Sequence, residues 1–157
     1  WSRDSSGLYF DADEKGRNAL FKVPVSGGKA EKILEGQTFN SLSLLPDGRT
    51  FIFIKQAMNR PSDIFAFDST SKKLTQITEV NKELLGQLQM NPAEEFWFEG
   101  ADKDKVHGWL LKPPAFDPSK NYPLVLLIHA DLTAPGRTNF TTAGTLRCLL
   151  HRDTSTL

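Results

Sequence analysis

Histidine and cysteine, which commonly serve as bases, nucleophiles and metal ligands, are scarce in this chain. Its histidines are His107, His129 and His151, and its one cysteine is Cys148. A histidine can serve as a general base or a metal ligand, and a thiolate as a nucleophile. No second ligand lies at metal-binding spacing from His107, and no recognisable catalytic pattern surrounds Cys148. We therefore expect His107 to be a solvent-facing strand residue. The single cysteine also excludes an internal disulfide and a cysteine-rich zinc site.

Three carboxylates could likewise belong either to a functional site or to the ordinary surface of the fold. Glu94 and Glu95 are adjacent and could bind a substrate amine, but they begin a surface hairpin, so we expect solvated charges. Asp47 follows Pro46 in the string PDGR, which is typical of a type I turn. Its carboxylate is expected to cap backbone N–H groups of that turn.

The composition excludes several function classes. The 157 residues have a net charge of zero and a pI near 7.0, which argues against a nucleic-acid or anionic-membrane binder. The longest apolar run, 124–128, is too short to span a bilayer. Eleven phenylalanines, three tryptophans and two tyrosines can bury a core, so disorder is not expected. The chain begins at Trp1 without a signal-peptide pattern, which suggests a piece of a longer protein.

The elements that could position a site begin with a repeat. The run 8–10 (LYF) aligns with 51–53 (FIF), 20–23 with 64–67, and 33–34 with 77–78, at offsets of 43, 44 and 44 residues. Short strands at this period are typical of β-propeller blades. We predict one complete blade over about 37–80 and most of another over 1–36. A plain antiparallel sheet is the alternative, and two blades cannot close a propeller.

The pattern changes after residue 80. Residues 81–88 read as a short connection, and 96–99 with 106–112 predict a hairpin around the turn 100–104. The proline-rich stretch 113–118 can be neither strand nor helix. The run 122–129 (YPLVLLIH) is continuously apolar, which predicts a strand buried on both faces.

The order of these segments is familiar. The repeats are followed by GWLLKPP from Gly108, FDPSK from Phe116 and YPLVLLIH from Tyr122. This order resembles the junction between propeller and α/β-hydrolase domain in the prolyl oligopeptidase family of serine peptidases, above all its dipeptidyl-peptidase V and acylaminoacyl-peptidase branch. The resemblance implies a mixed fold, with a partial β-propeller of about two blades over 1–80 and the first strands of an α/β-hydrolase domain over 81–129.

The resemblance also implies a mechanism. In the family a serine on a strand-to-helix elbow attacks a peptide carbonyl, a histidine takes its proton and an aspartate orients that histidine. Peptide substrate is the only implied partner, with no nucleic acid, no membrane and no metal or organic cofactor. The family implies a secreted protein, with a cytoplasmic one as the alternative. The oligomeric state stays open.

This sequence departs from the family after His129. Ala130, Asp131 and Leu132 stand where the family has Gly-Gly-Pro, and a Gly-x-Ser-x-Gly elbow occurs nowhere in the chain. We therefore assign no catalytic residue, and His129 is at most a neighbour of the oxyanion loop. The chain is predicted to be inactive by itself. A non-catalytic propeller acting as an interaction module is the competing function.

Residues 130–157 differ in composition from the rest. They contain seven of the chain's twelve threonines and no lysine, isoleucine or valine. We expect an aberrant tail without regular structure. Codons for 143–148 can be read one base out of frame as RWNPQV, those for 149–155 as FAxxGYI, and those for 130–137 as GGPxGAWE. These strings resemble what the family carries after its loop, so we interpret the tail as a frameshift product, with a natural truncation as the alternative.

Overall fold

A computed structural model of the chain describes residues 1–127. The predicted tail 130–157, His129, Cys148 and His151 therefore lie outside the described residues. Within 1–127 the structure is mostly antiparallel β. The elements are β1 (Gly7–Glu14), β2 (Arg17–Pro24), β3 (Glu31–Leu44), β4 (Thr50–Ala57), β5 (Arg60–Asp68), β6 (Lys73–Gln76), α1 (Lys82–Gly86), β7 (Glu94–Glu99), a 3-10 turn (Ala101–Lys103) and β8 (Lys105–Leu110).

The first six strands are hydrogen-bonded in sequence order, and their register confirms the predicted repeat. Phe10 lies opposite Phe21 between β1 and β2, and Phe53 lies opposite Phe65 between β4 and β5. The pair Lys22–Glu31 likewise corresponds to Ala66–Thr75. These pairs of the first unit therefore recur in the second at the offset read from the sequence.

β3 joins the two units because its partner changes along its length. Residues 31–37 pair with β2, and residues 38–44 pair with β4. The register with β4 is interrupted between Asn40 and Ser43, where Ser41 has a φ of 56°. The change of partner itself falls between Gln37 and Thr38 of this 14-residue strand, so one strand serves both units.

The core lies where the two units meet. Its fully buried side chains share an aromatic or aliphatic character and come from β2 to β5: Leu20, Phe39, Phe51, Phe53, Phe65 and Phe67. The ring of Tyr9 on β1 packs edge-on against Phe51 on β4 at 4.9 Å between centroids, although these strands are not neighbours. Burying each such side chain contributes about 1.5–3 kcal/mol, so this cluster holds the two units together.

Aspartate carboxylates cap two corresponding turns, one in each unit. Asp47 Oδ1 accepts hydrogen bonds from the backbone N–H groups of Arg49 (3.1 Å) and Thr50 (2.9 Å), which confirms its predicted capping role. The Thr50 hydroxyl donates to Asp47 Oδ2 at 2.6 Å. These donors favour the charged form and lower the pKa of Asp47 to about 2. Asp4 occupies the equivalent turn of the first unit, and hydrogen bonds from Ser2 and Ser6 hold its pKa well below the ordinary value.

The chain beyond residue 80 matches the prediction in part. The hairpin is confirmed as β7 and β8, and 113–118 forms neither strand nor helix. The connection 81–88 contains the unpredicted five-residue helix α1, in which lysine, glutamate and two leucines favour a helical turn that ends at Gly86.

The prediction of a strand over 122–129 is wrong for the residues that the structure describes. Its described part, 122–127, is not in a strand, and Leu124 is 79% exposed. An apolar run becomes a buried strand only when neighbouring strands accept its hydrogen bonds and cover both faces. No described strand lies beside it. The run therefore has the composition of a central strand without the sheet that would bury it.

Candidate functional site

The densest cluster of chemically capable side chains lies on one face of the β7–β8 hairpin, where it meets the β1–β2 turn. Because side chains alternate along a strand, Glu95, Trp97, His107 and Trp109 share this face. Arg17, the first residue of β2, reaches across to them. We name these five residues the joint.

The three rings of the joint are in contact, one pair stacked and the other tilted. Trp97 stacks on His107 with 4.4 Å between centroids and 14° between planes, and His107 lies 5.0 Å from Trp109. The guanidinium carbon of Arg17 lies 4.5 Å from the Trp109 ring centroid, in cation–π contact. His107 thereby contacts two indoles.

Glu95 connects the stack to the sheet. Its Oε1 accepts a hydrogen bond from Trp97 Nε1 at 3.1 Å, and its Oε2 lies 3.4 Å from Arg17 Nη1. His107 Nε2 is also 3.2 Å from Glu95 Oε1, but the approach is poorly aligned and forms no hydrogen bond. Trp109 Nε1 is buried without a hydrogen-bond partner. Glu95 thus contacts one cation and two ring systems, those of Trp97 and His107.

One sequence-based expectation is wrong at this cluster. His107 does not face solvent, since its side chain is only 17% exposed, and a carboxylate stands beside it. Glu94 and Glu95 lie on an exposed strand as expected, but Glu95 also contacts Arg17 and Trp97, whereas Glu94 on the opposite face forms an exposed ion pair with Lys112 at 2.7 Å. Motif spacing along the chain missed this because the contact arises across strands. Period-two alternation, which places Glu95, Trp97, His107 and Trp109 on one face, was the available signal.

A second polar cluster fixes the exit from the six-stranded sheet. Asp63 on β5 is 4% exposed. It accepts hydrogen bonds from the Thr78 hydroxyl (2.7 Å), Gln76 Nε2 (3.1 Å) and the Val80 N–H (3.2 Å). All three donors follow β5 in the chain, so Asp63 ties the connection 77–80 to the sheet edge. A shallow cleft of about 320 Å³ beside it is lined by Arg60, Glu79 and Lys82 among others.

A larger, open cleft of about 630 Å³ lies next to the joint and is lined by Lys15, Trp97, Phe98, Glu99 and Lys105. No group of three or more potential metal ligands is assembled among the described residues. No described helix is long and apolar enough to cross a membrane. The one sequence-predicted site residue, His129, lies outside the part of the chain that the structure describes.

Known proteins resemble this chain over most of its length. An uncharacterized peptidase of Bacillus subtilis, YuxL, is 29% identical over 129 residues, which is 82% of this chain and 20% of that protein. A probable dipeptidyl-peptidase 5 of Aspergillus clavatus is 30% identical over 135 residues (82% of this chain, 18% of the relative). Dipeptidyl-peptidase 5 of Porphyromonas gingivalis is 27% identical over 127 residues (80% and 18%). The chain spans about a fifth of the length of these curated relatives.

Solved structures share the fold of this segment. The AtxE2 isopeptidase superposes with a TM-score of 0.63 at 17% identity, covering 76% of this chain and 18% of that one. An acylaminoacyl peptidase of Pyrococcus horikoshii gives a TM-score of 0.59 at 21% identity, with 75% and 17% covered. No family model matches the chain. The predicted resemblance to prolyl-oligopeptidase-type peptidases, close to dipeptidyl-peptidase 5 and acylaminoacyl peptidase, is confirmed by these relatives and folds.

Proposed function

We propose that this chain is the segment of a serine peptidase, of the dipeptidyl-peptidase 5 type, in which a β-propeller gives way to the α/β-hydrolase domain. One observation carries the proposal. A strand register repeated at 43 and 44 residues is followed by a separate hairpin, and the similarity to the peptidase relatives extends across both over 82% of the chain.

In this proposal the six-stranded sheet contains one blade and most of another. Residues 38–44 of β3 with β4, β5 and β6 make four consecutive antiparallel strands, the number in a propeller blade. β1, β2 and residues 31–37 of β3 supply the corresponding three strands of the preceding unit. The buried contact of Tyr9 with Phe51 then serves as packing between blades.

The hairpin β7–β8 is, in the same proposal, the opening of the peptidase domain, with the apolar run 122–129 as its next strand. The Asp63 cluster and the joint have clear tasks in such a protein. Asp63 fixes where the chain leaves the propeller, and Arg17 with Glu95 and Trp109 holds the first peptidase strands against it. His129, ending the apolar run, is proposed only as a neighbour of the oxyanion loop.

We infer that the parent protein hydrolyses peptide bonds near peptide N-termini and that this chain alone does not. Peptide hydrolysis by a serine enzyme needs a nucleophile whose proton passes through a histidine to the leaving amine, and then a water that releases the acyl group. The Gly-x-Ser-x-Gly string that would present the nucleophile does not occur in the 157 residues. By the same resemblance we propose that the parent is secreted, with a cytoplasmic location as the alternative.

A fluorogenic dipeptide assay tests the inactivity. The purified 157-residue chain is expected to give no turnover above buffer, with full-length dipeptidyl-peptidase 5 of Porphyromonas gingivalis as the positive control. Turnover that a serine-directed organophosphate abolishes would overturn the inference.

The nucleotide sequence tests both the junction and the tail. An in-frame propeller upstream, and downstream codons for a Gly-x-Ser-x-Gly elbow in any frame, are the expected result. Residues 130–157 are proposed to be a frameshift product, so their bases should yield the GGP, RWNPQV and FAxxGYI strings in a shifted frame. Bases that cannot encode those strings in another frame would dispose of the frameshift and leave a natural sequence.

A further inference from the structure

We propose that the side-chain amine of Lys55 is a modification site, which takes up carbon dioxide as a carbamate beside the guanidinium of Arg60. The inference goes beyond the proposed function, because it concerns an amine on the face where the two units of the sheet meet and no step of peptide hydrolysis.

Lys55 lies at the end of the buried face of β4. Because side chains alternate along a strand, Lys55 shares its face with Phe51 and Phe53 of the core. Its partner in the register on β5 is Asp63, and its Nζ lies 4.6 Å from the centroid of the Phe65 ring. All of these neighbours belong to the six-stranded sheet. The amine is thus half-buried against an aromatic ring at the margin of the core.

The amine of Lys55 has no anionic partner in the part of the chain that the structure describes. No carboxylate of residues 1–127 lies within ion-pair distance of its Nζ. The carboxylate of Asp63, on the neighbouring strand, instead accepts hydrogen bonds from Gln76, Thr78 and Val80. An ammonium group at this position therefore lacks the negative charge that usually accompanies a half-buried lysine.

The surroundings of Lys55 favour the neutral amine. Burial, and after it the charge of Arg60, holds the pKa of Lys55 below its usual range. The Phe65 ring attracts an ammonium group and opposes this shift, but without a carboxylate it does not offset the other two effects. By contrast, a hydrogen bond to Glu79 at 2.6 Å raises the pKa of Lys82. At neutral pH a larger fraction of Lys55 than of Lys82 is therefore in the nucleophilic form.

Carbon dioxide suits this amine because the adduct is an anion. The lone pair of neutral Nζ forms a bond to the carbon, one C=O electron pair moves to oxygen, and the nitrogen releases a proton to solvent, so that R–NH₂ and CO₂ give R–NH–COO⁻ and H⁺. The new carboxylate can pair with the guanidinium of Arg60. Arg60 Nη1 donates to Gln76 Oε1 at 3.2 Å, and among the described residues Arg60 forms no ion pair. An imine formed with an aldehyde is not an anion and would gain nothing from Arg60.

Trapping the carbamate as an ester tests the proposal. The full 157-residue chain is equilibrated with isotope-labelled bicarbonate at neutral pH, treated with triethyloxonium, digested and mapped by mass spectrometry. Lys55 should carry several times the label of Lys82, and the α-amino group of the chain serves as the positive control. Lys55→Arg, which keeps the positive charge but cannot form the carbamate, should remove that label.

An arginine variant tests the role of the neighbouring cation. Arg60→Gln removes both the charge that favours the neutral amine and the partner of the carbamate, so the label on Lys55 should fall several-fold. Arg49→Gln is the matched control, because Arg49 is also exposed but lies at the opposite end of β4. It should leave the label on Lys55 unchanged.

Each outcome decides the matter. A label on Lys55 that exceeds that on Lys82 and falls in Arg60→Gln alone supports the proposal. A label on the α-amino group without one on Lys55, equal labelling of Lys55 and Lys82, or equal effects of the two arginine variants would each overturn it. If Lys55→Arg does not fold, as judged by circular dichroism, the comparison of the two lysines in the unsubstituted chain still decides. None of these results bears on the peptidase parentage, which the nucleotide sequence tests separately.

Discussion

The six-stranded sheet and the β7–β8 hairpin contain the same kind of residue in the same kind of strand, yet they treat it oppositely. Phe51, Phe53 and Phe67 are almost wholly buried, whereas Phe96 and Phe98 are about half exposed. Both sets alternate along antiparallel strands. The difference is that the two units of the sheet bury their faces against each other, whereas the face of the hairpin that carries Phe96 and Phe98 stays exposed. Aromatic strand faces become a core only when a second layer is present.

The comparison also separates two ways of using charge. In the sheet, Asp47 caps its turn through the backbone N–H and the hydroxyl of Thr50, three residues away. In the hairpin, Glu95 pairs with the guanidinium of Arg17 on β2 and accepts a hydrogen bond from the indole of Trp97. The first use is local and readable from a few neighbouring residues. The second joins residues 78 positions apart and depends on the tertiary fold.

The largest expected effect comes from removing one core ring. Phe53→Ala should destabilise the sheet by about 3–5 kcal/mol, because it leaves a cavity in the cluster shared by both units. Phe98→Ala, the same change on the exposed hairpin face, should cost within about 0.5 kcal/mol. Urea unfolding followed by circular dichroism measures both. Equal losses would mean that the buried and exposed faces do not differ as the structure shows.

A smaller effect is expected where the sheet passes into the connection. Asp63→Ala should cost about 1–3 kcal/mol, because the Thr78 hydroxyl and the Val80 N–H lose a buried acceptor. Hydrogen exchange of the Val80 amide should accelerate while amides of β1 and β2 stay protected. Asp11→Ala on an exposed strand position is the control. Unchanged exchange at Val80 would contradict the anchoring role of Asp63.

The joint should contribute less. Arg17→Ala removes the cation–π contact with Trp109 and the ion pair with Glu95, both partly exposed, for about 0.5–1 kcal/mol. The expected signature is a red-shifted emission of Trp97 and Trp109, read in a Trp1→Phe background, with the sheet unaltered. Arg17→Lys keeps the charge but not the planar stacking. Its emission shift and its loss of stability should therefore lie between those of Arg17→Ala and the unsubstituted chain. Emission indistinguishable from the unsubstituted chain would show that Arg17 does not hold the hairpin.

The same contrast explains which features of the structure can be predicted from the sequence. The repeat was visible because each strand pair of the sheet is local: Phe10 meets Phe21 and Phe53 meets Phe65 across short turns, so the period survives in the chain. The Asp47 cap was readable for the same reason. The joint was not, because Arg17 and Glu95 have no sequence relation that a spacing rule detects.

The apolar run 122–129 shows that composition alone does not predict burial. Its composition, YPLVLLIH, favours a strand buried on both faces, yet Leu124 is exposed because burial depends on neighbours that a single run cannot specify. α1 was missed because five residues carry too little helical periodicity to distinguish a turn of helix from a connection.

The smallest expected effect is the dependence of stability on pH that the Asp47 turn contributes. The folded state lowers the pKa of Asp47 from 3.8 to about 2 through hydrogen bonds from Thr50 and Arg49. A depressed carboxyl pKa contributes stability that is complete above the ordinary value and is lost as the pH falls through about 2. The urea midpoint of the unsubstituted chain should therefore fall more between pH 5 and pH 2.5 than that of Asp47→Asn. Asp11→Asn, which leaves the turn intact, should retain the full fall. If Asp47→Asn loses as much as the unsubstituted chain, this turn does not contribute to the acid sensitivity of the sheet.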